Sequence, residues 1–356
     1  MLAVWLLLAV QGPAIRPPHD LGSYLAVAAR YGTTENRAAL HEIREWQTRE
    51  IAAAVADLRG QGSRLRPVPT SPGDIDFRAV EAAILLHFEA GLIALQALSP
   101  VEVEAHFGAS TALFEWSRDA ARRQRRRGLV IQERIDRRDY YFALASAVLA
   151  IGFPPTALPF AEAAQRIAPM DPEVRLVFGC VAEGIAEEAL LQHRGSEVAR
   201  WREKAERALR DVLALDHGLQ EARLHLGKMH LDSGRLIEAE PLLAEVEARS
   251  GDARQRYLAR LFLGRLAERR GRPDEATTFY RGALVAWPDS QVARLALGHA
   301  LERRSGPQAS RPLVAASLAA SQRPDRTADP WWQYPFAPPG LAKAALDRLW
   351  GRALDW

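Results

Sequence analysis

Cysteine is almost missing from this chain: Cys180 stands alone among 356 residues. No intramolecular disulfide can form, and no cysteine-based zinc site can be assembled. Lysine is nearly as scarce. Lys204, Lys228 and Lys343 are the only lysines among 47 basic residues, so the positive charge is carried by arginine. With abundant Ala, Leu and Gly, that usage matches a GC-rich bacterial genome and weakens arginine richness as a sign of phosphate binding. A charge excess of one sign is also missing. The formal net charge is only +3, which excludes a general electrostatic field for nucleic acid.

Long apolar runs are lacking after the first residues. Leu2–Val10 reads LAVWLLLAV, nine apolar residues followed by Gln11, Gly12 and Pro13. Such a run is too short to cross a bilayer and fits the core of a secretory signal, with Val10 and Gly12 at the −3 and −1 cleavage positions. The expectation is a signal peptide over residues 1–12 and a periplasmic or secreted protein. The basic residues that usually precede such a core are absent, and a first helix of a cytoplasmic protein is the alternative.

The signatures of common catalysts are missing too. His41-Glu42 is followed by Ile43-Arg44-Glu45, so the second His of a zinc-protease motif is absent. His225 and His230 are five apart and do not share a helix face as i, i+4 ligands do. No phosphate-binding glycine loop and no nucleophile elbow occur. No cofactor is expected. Carboxylates fall among arginines at helical spacing, as in Glu203/Arg207 and Glu206/Arg210, the pattern of solvated i, i+4 pairs. The densest charge run is Arg122, Arg123, Arg125, Arg126 and Arg127. It reads either as a helix C-terminus, where cations favour the dipole, or as a site for an anionic partner.

What the chain does have is periodicity. The segment Tyr257–Ser290 is 34 residues long, and the pattern restarts at Gln291, with Gly264 and Gly298 one period apart. Gly271 reads as a left-handed helix end, Pro273 and Asp274 as the start of the next helix, and Pro288 as its stop. Ala276, Tyr280 and Ala283 share one face. Arg138–Asp171 repeats the pattern through Leu144, Ala145, Ala157, Ala164 and Pro169. A copy from Pro172 carries Gly179 and extends over 48 residues, with a first helix to about Arg194, a turn at Gly195-Ser196 and a second helix Glu197–Leu215. Another from Gln220 carries Gly227 and Gly234 and spans 37 residues. A last copy, from Gln291, turns at Ser305-Gly306-Pro307 into a helix near Gln308–Ser321.

This pattern resembles the tetratricopeptide repeat (TPR) family. Taking Tyr257 as position 1, Leu263, Gly264, Ala276, Tyr280, Ala283 and Pro288 match the family's large, small and proline positions, while Arg260 and Ala267 depart from them. The resemblance implies an all-α fold, a right-handed α-solenoid of stacked antiparallel helical hairpins over residues 138–322 in about five repeats. Residues 20–137 form an N-terminal helical region, with helices expected at 21–31, 35–58, 75–98 and 109–126 and a loop at 60–73. Residues 323–356 are a Pro/Trp-rich tail ending in a capping helix over 341–354.

In the family the first helices line a concave groove. The resemblance places Phe142, Leu176, Leu224, Leu261 and Leu295 along it as an apolar row. Beside them fall Ser146, Cys180, Lys228, Arg265 and His299, then Leu149, Glu183, Leu231, Glu268 and Glu302. The family's carboxylate clamp of Lys and Asn is not reproduced. The groove therefore suits an apolar helix or an extended peptide, and the tail at 330–339 is an internal candidate for it. The function expected is a non-catalytic protein–protein scaffold in an envelope complex. The alternatives are a cytosolic adaptor using Arg122–Arg127 and an enzyme with its catalytic part in 20–137.

Overall fold

The computed structural model describes residues 100–126, 135–321, 329–334 and 339–354, with scattered positions between 81 and 95. The apolar run Leu2–Val10, the expected helices 21–31 and 35–58, the loop 60–73, most of 75–98 and Arg127 lie outside the described residues. Those described are helical throughout, with no strand among them.

The helices are α1 (Pro100–Arg126), α2 (Arg137–Ala150), α3 (Pro154–Ile167), α4 (Pro172–Leu191), α5 (Gly195–Leu215), α6 (Gln220–Asp232), α7 (Leu236–Arg249), α8 (Ala253–Arg269), α9 (Pro273–Ala286), α10 (Gln291–Ser305), α11 (Pro307–Ser321) and α12 (Pro339–Leu354). A short 3₁₀ turn, Pro330–Gln333, lies between the last two. The chain divides into two compact units between Ile151 and Gly152. One holds Gly152–Leu341, and the other holds residues before Gly152 together with Ala342–Trp356.

In the larger unit every helix packs on the next, from α3 to α11, and α8 also touches α6 and α10. That is a stack of antiparallel hairpins, α4/α5, α6/α7, α8/α9 and α10/α11. Side-chain caps set the starts. Asp171 accepts from the amides of Glu173 and Val174 at 2.9 and 3.1 Å, Asp252 from that of Arg254 at 2.8 Å, and Ser290 from that of Ala293 at 2.9 Å. Pro154, Pro172 and Pro273 open their helices, where a missing N–H costs nothing.

Three hairpin turns share one closure. Arg194, Arg235 and Arg272 each donate a backbone N–H to the carbonyl five residues back, at 2.9 Å. This is the Schellman arrangement, and it needs a left-handed residue just before the donor. Gly234 and Gly271 supply it in two cases, and His193, at φ 58°, in the third. The turn expected at Gly195-Ser196 therefore falls two residues earlier. Gly195 is instead the first residue of α5.

The hairpins close tightly at the small-residue position. A Cβ on Gly264 would clash with the Tyr280 ring, and one on Gly227 would stand 2.8 Å from Leu243 Cδ2. Gly298 differs, since a Cβ there would meet nothing nearer than 3.7 Å. Two copies depart from the regular length. Helices α4 and α5 have 20 and 21 residues, against 13 and 14 in α6 and α7. Helix α8 begins at Ala253, one turn before Tyr257, and so reaches 17 residues.

In the smaller unit α1 starts at Pro100 rather than at residue 109. Gly108, just before the expected start, sits exposed inside the helix. Tyr140 on α2 stacks on Phe114 at 4.0 Å and shares a hydrogen bond with Ser110 at 2.7 Å. The expected final helix is α12. It buries Ala342, Ala345 and Leu349, and its Arg348 guanidinium lies 5.8 Å from the Phe142 ring centre.

Gly264→Ala should lower stability by about 1–3 kcal/mol through overpacking. Gly298→Ala should be neutral or raise it by about 0.5–1 kcal/mol through lost unfolded-state freedom. His193→Gly should raise it by about 1 kcal/mol by relieving the left-handed conformation. Denaturant melts of the three variants check the order; equal effects of the two Gly→Ala changes would refute the close-approach account.

Candidate functional site

The first helices of the four hairpins, α4, α6, α8 and α10, present one face of the larger unit. The apolar row expected there is mostly closed. Leu176, Leu224 and Leu261 are buried, while Leu295 keeps 45% of its surface exposed. Phe142 belongs to the other unit and is buried under Arg138, 4.4 Å from its ring centre. Cys180 and Lys228 are buried, Arg265 is half-buried and His299 is exposed.

The polar row pairs with itself. Lys228 Nζ lies 3.2 Å from Glu183 on the preceding first helix, contacts Glu187 there and reaches Asp232 at 3.1 Å. Arg265 meets Asp232 at 3.0 Å, and His299 meets Glu268 at 3.0 Å. Each base thus answers an acid one hairpin earlier. His225 joins the same network, with Nδ1 at 2.6 Å from Glu183 and Nε2 at 3.5 Å from Glu221. Glu221 is held in turn by Arg254 at 2.5 Å and by the Gln255 amide at 2.6 Å.

The irregular copies supply part of this network. Glu187 lies beyond the length of an ordinary first helix, and Arg254 and Gln255 sit on the extra turn that opens α8. The sequence marked these copies as long. It gave no sign that their added residues meet at one place, because the meeting depends on how hairpins stack.

A segment of the chain's own tail covers the network. Asp329 buries its carboxylate at the start of α10. It accepts hydrogen bonds from Tyr257 Oη at 2.6 Å and Ser290 Oγ at 2.8 Å, with the Val292 amide at 3.4 Å. It also caps its own 3₁₀ turn through the Trp331 amide at 3.0 Å. Trp331 leans on Phe262, ring centres 5.8 Å apart. Tyr334 is only 3% exposed. Its ring stacks on His225 at 4.8 Å, meets Phe262 edge-on at 5.1 Å and lies 5.5 Å from the Lys228 ammonium. Its hydroxyl donates to Glu183 at 3.3 Å.

Burial and charge fix the protonation states. Burial pushes Glu183 up, but the Lys228 ammonium and His225 outweigh it and hold its pKa at about 2. For Glu221 burial is likewise outweighed, chiefly by Arg254, again to about 2. Burial lowers the pKa of His225, while the Cys180 sulfur and the Glu183 carboxylate beside it raise it well above the ordinary value. Burial pushes the Cys180 thiol up, against the influence of His225. Nδ1 of His225 is hydrogen-bonded to Glu183, while Nε2 lies 3.5 Å from Glu221 without a hydrogen bond to it. Cys180 and His225 are in hydrogen-bond contact, but both are buried beneath Tyr334, and the thiol is held protonated rather than as the thiolate of a nucleophilic site.

Elsewhere, Arg122, Arg123, Arg125 and Arg126 fall in the last turns of α1, and Arg122 pairs with Asp119 at 2.9 Å. Among the described residues no His, Cys, Asp and Glu group is placed to hold a metal ion, and no helix is long and apolar enough to cross a membrane.

The pH dependence follows from these shifts. The raised pKa of His225 gives stability that is complete below about pH 6.5 and lost as pH climbs through its folded value. Glu183 and Glu221 give stability that is complete above about pH 4.5 and lost as pH falls toward 2. The melting temperature of the wild type should therefore fall above pH 6.5. His225→Gln should melt lower at pH 6 and show a flatter profile from there to pH 9. Parallel profiles would show that His225 is not charged in the fold.

No protein-family model matches the chain, and no curated protein matches it. Among solved structures it is similar to MamA from Desulfovibrio magneticus RS-1, residues 41 to the end. The identity is 20% and the TM-score 0.41, over 53% of this chain and 98% of that one. A second MamA structure, of MSR-1, aligns at 19% identity and TM-score 0.39, covering 52% of this chain and 98% of that one. A third MamA crystal structure gives 17% and 0.40, over 52% and 92%. The fold itself is carried by the helix pattern described above: the larger unit is an all-α, TPR-like stack of antiparallel helical hairpins.

Proposed function

We propose that this chain is a non-catalytic scaffold that holds a partner protein on the face lined by α4, α6, α8 and α10. The observation that supports this reading is that the face holds a peptide turn, through separate seats for a carboxylate, an indole and a phenol. A surface that grips extended or turned segments by alternate side chains is a recognition surface. The burial of Cys180 and His225 beneath Tyr334, with the thiol protonated, agrees with this role. The half-open end of the face, with Arg265, Leu295 and His299, is where a partner would extend its contact.

The apolar run Leu2–Val10 leads us to place this scaffold outside the cytoplasm, in an envelope complex. Fusion of residues 1–30 to a reporter active only after export tests that placement; a reporter that stays in the cytoplasm would remove it.

The binding reading predicts a specific loss. Proteins captured from native extract by the tagged wild type should be depleted at least about tenfold on the variant Arg265→Glu/Leu295→Glu, whose melting temperature should change by only a few degrees. Equal capture by both proteins would sink this reading.

A further inference from the structure

We infer that residues 329–334 stand in for the partner's own segment: the face takes a peptide with an acidic residue, an aromatic two positions on and a tyrosine five positions on. This inference rests on the scaffold reading and deepens it. It commits to a partner protein that presents an Asp-x-Trp-x-x-Tyr turn, which the chain's own tail excludes by competition.

Three observations carry it. The first is that every seat is specific. Asp329 meets two hydroxyl donors and the N-terminus of α10, where backbone amides favour an anion. Trp331 rests against Phe262. Tyr334 enters a slot walled by His225, Phe262 and Lys228 and closed by Glu183.

The second is the nature of the floor. Beneath Tyr334 lie Glu183, Glu221, His225 and Lys228, all buried. A permanent core would use the Ala, Leu and Gly found between the helices of each hairpin. Burying ions is costly, and replacing them with apolar residues is often neutral or stabilising. When the segment leaves, water re-solvates these groups, which lowers the cost of opening. The floor has the composition of a surface that meets solvent for part of its life.

The third is the shape of the cover. It is a single 3₁₀ turn of four residues, capped by its own Asp329. Such a turn carries its geometry with it, so a peptide of the same pattern reproduces it in trans.

The test uses the full chain and a labelled synthetic peptide of residues 326–337, RTADPWWQYPFA. Two variants unseat the segment, Tyr334→Ala alone and the triple Asp329→Ala/Trp331→Ala/Tyr334→Ala. Fluorescence anisotropy is read beside far-UV circular dichroism. The expected result is that at least one variant keeps the wild-type spectrum and binds the peptide about tenfold or more tighter than wild type does. Peptides with the aspartate changed to Asn or the tyrosine to Ala should lose about tenfold.

Folded variants that bind no better than wild type would overturn the inference. Loss of the helical spectrum in both variants would also overturn it, since the segment would then be part of the core. A wild-type dimer that Tyr334→Ala dissolves would assign the face to a second copy of this chain, not to a partner. If peptide binding fails while capture by the Arg265/Leu295 face persists, the scaffold reading stands and only the identity of the seated segment falls.

Discussion

Everything in the larger unit depends on how closely the two helices of a hairpin approach. At Gly264 the helix backbone lies against the Tyr280 ring, and at Gly227 it lies against Leu243. No side chain of the first helix intervenes there, so these two hairpins are thin, rigid plates. Thin plates stack with their first helices in register, and α8 consequently touches α6 and α10. That register brings an acid on one first helix within reach of a base on the next. The pairs Glu183–Lys228, Asp232–Arg265 and Glu268–His299 are its chemical consequence.

The network built on that register is dry at one end and open at the other. Tyr334 closes it over His225 and Lys228, while Arg265 and His299 remain accessible. Charged groups taken out of water must be repaid by good geometry. Here Glu183 is met by His225, Lys228 and the Tyr334 hydroxyl, and Glu221 by Arg254 and Gln255. The extra turn of α8 and the extra length of α4 furnish Arg254, Gln255 and Glu187. Irregular repeat length is thus tied to one place on one face, and that place holds a peptide.

The balance between a cap and a ligand lies in this segment. Asp329 satisfies groups at the start of α10 that solvent would otherwise serve, and Trp331 and Tyr334 cover Phe262. Those contacts stabilise the stack. The same contacts make the segment a template for what else the face would accept.

Much of the fold is legible in the residues alone. The 34-residue recurrence of Gly264 and Gly298, the turn glycines Gly234 and Gly271, and the prolines that open and close helices act over a few residues, so local chemistry suffices to read them. They determined the helical hairpins, their number after residue 172 and most of their limits. Where they misled, a neighbour's geometry decided. His193 takes the left-handed position ahead of Gly195 because the Schellman bonds close there. Leu176, Leu224 and Leu261 mark the groove side by position, yet stacking buries them. The polar row was visible as Lys228, Arg265 and His299, but its partners lie one repeat away, some 31 to 45 residues along the chain. The tail at 330–339 stands out as a candidate for the groove, but the seat of Tyr334 on Glu183, 151 residues away, has no local signal. A sequence sets which side chains exist and which turns are easy. Only the packed chain decides which of them meet, because that choice depends on distances between elements that no local pattern encodes.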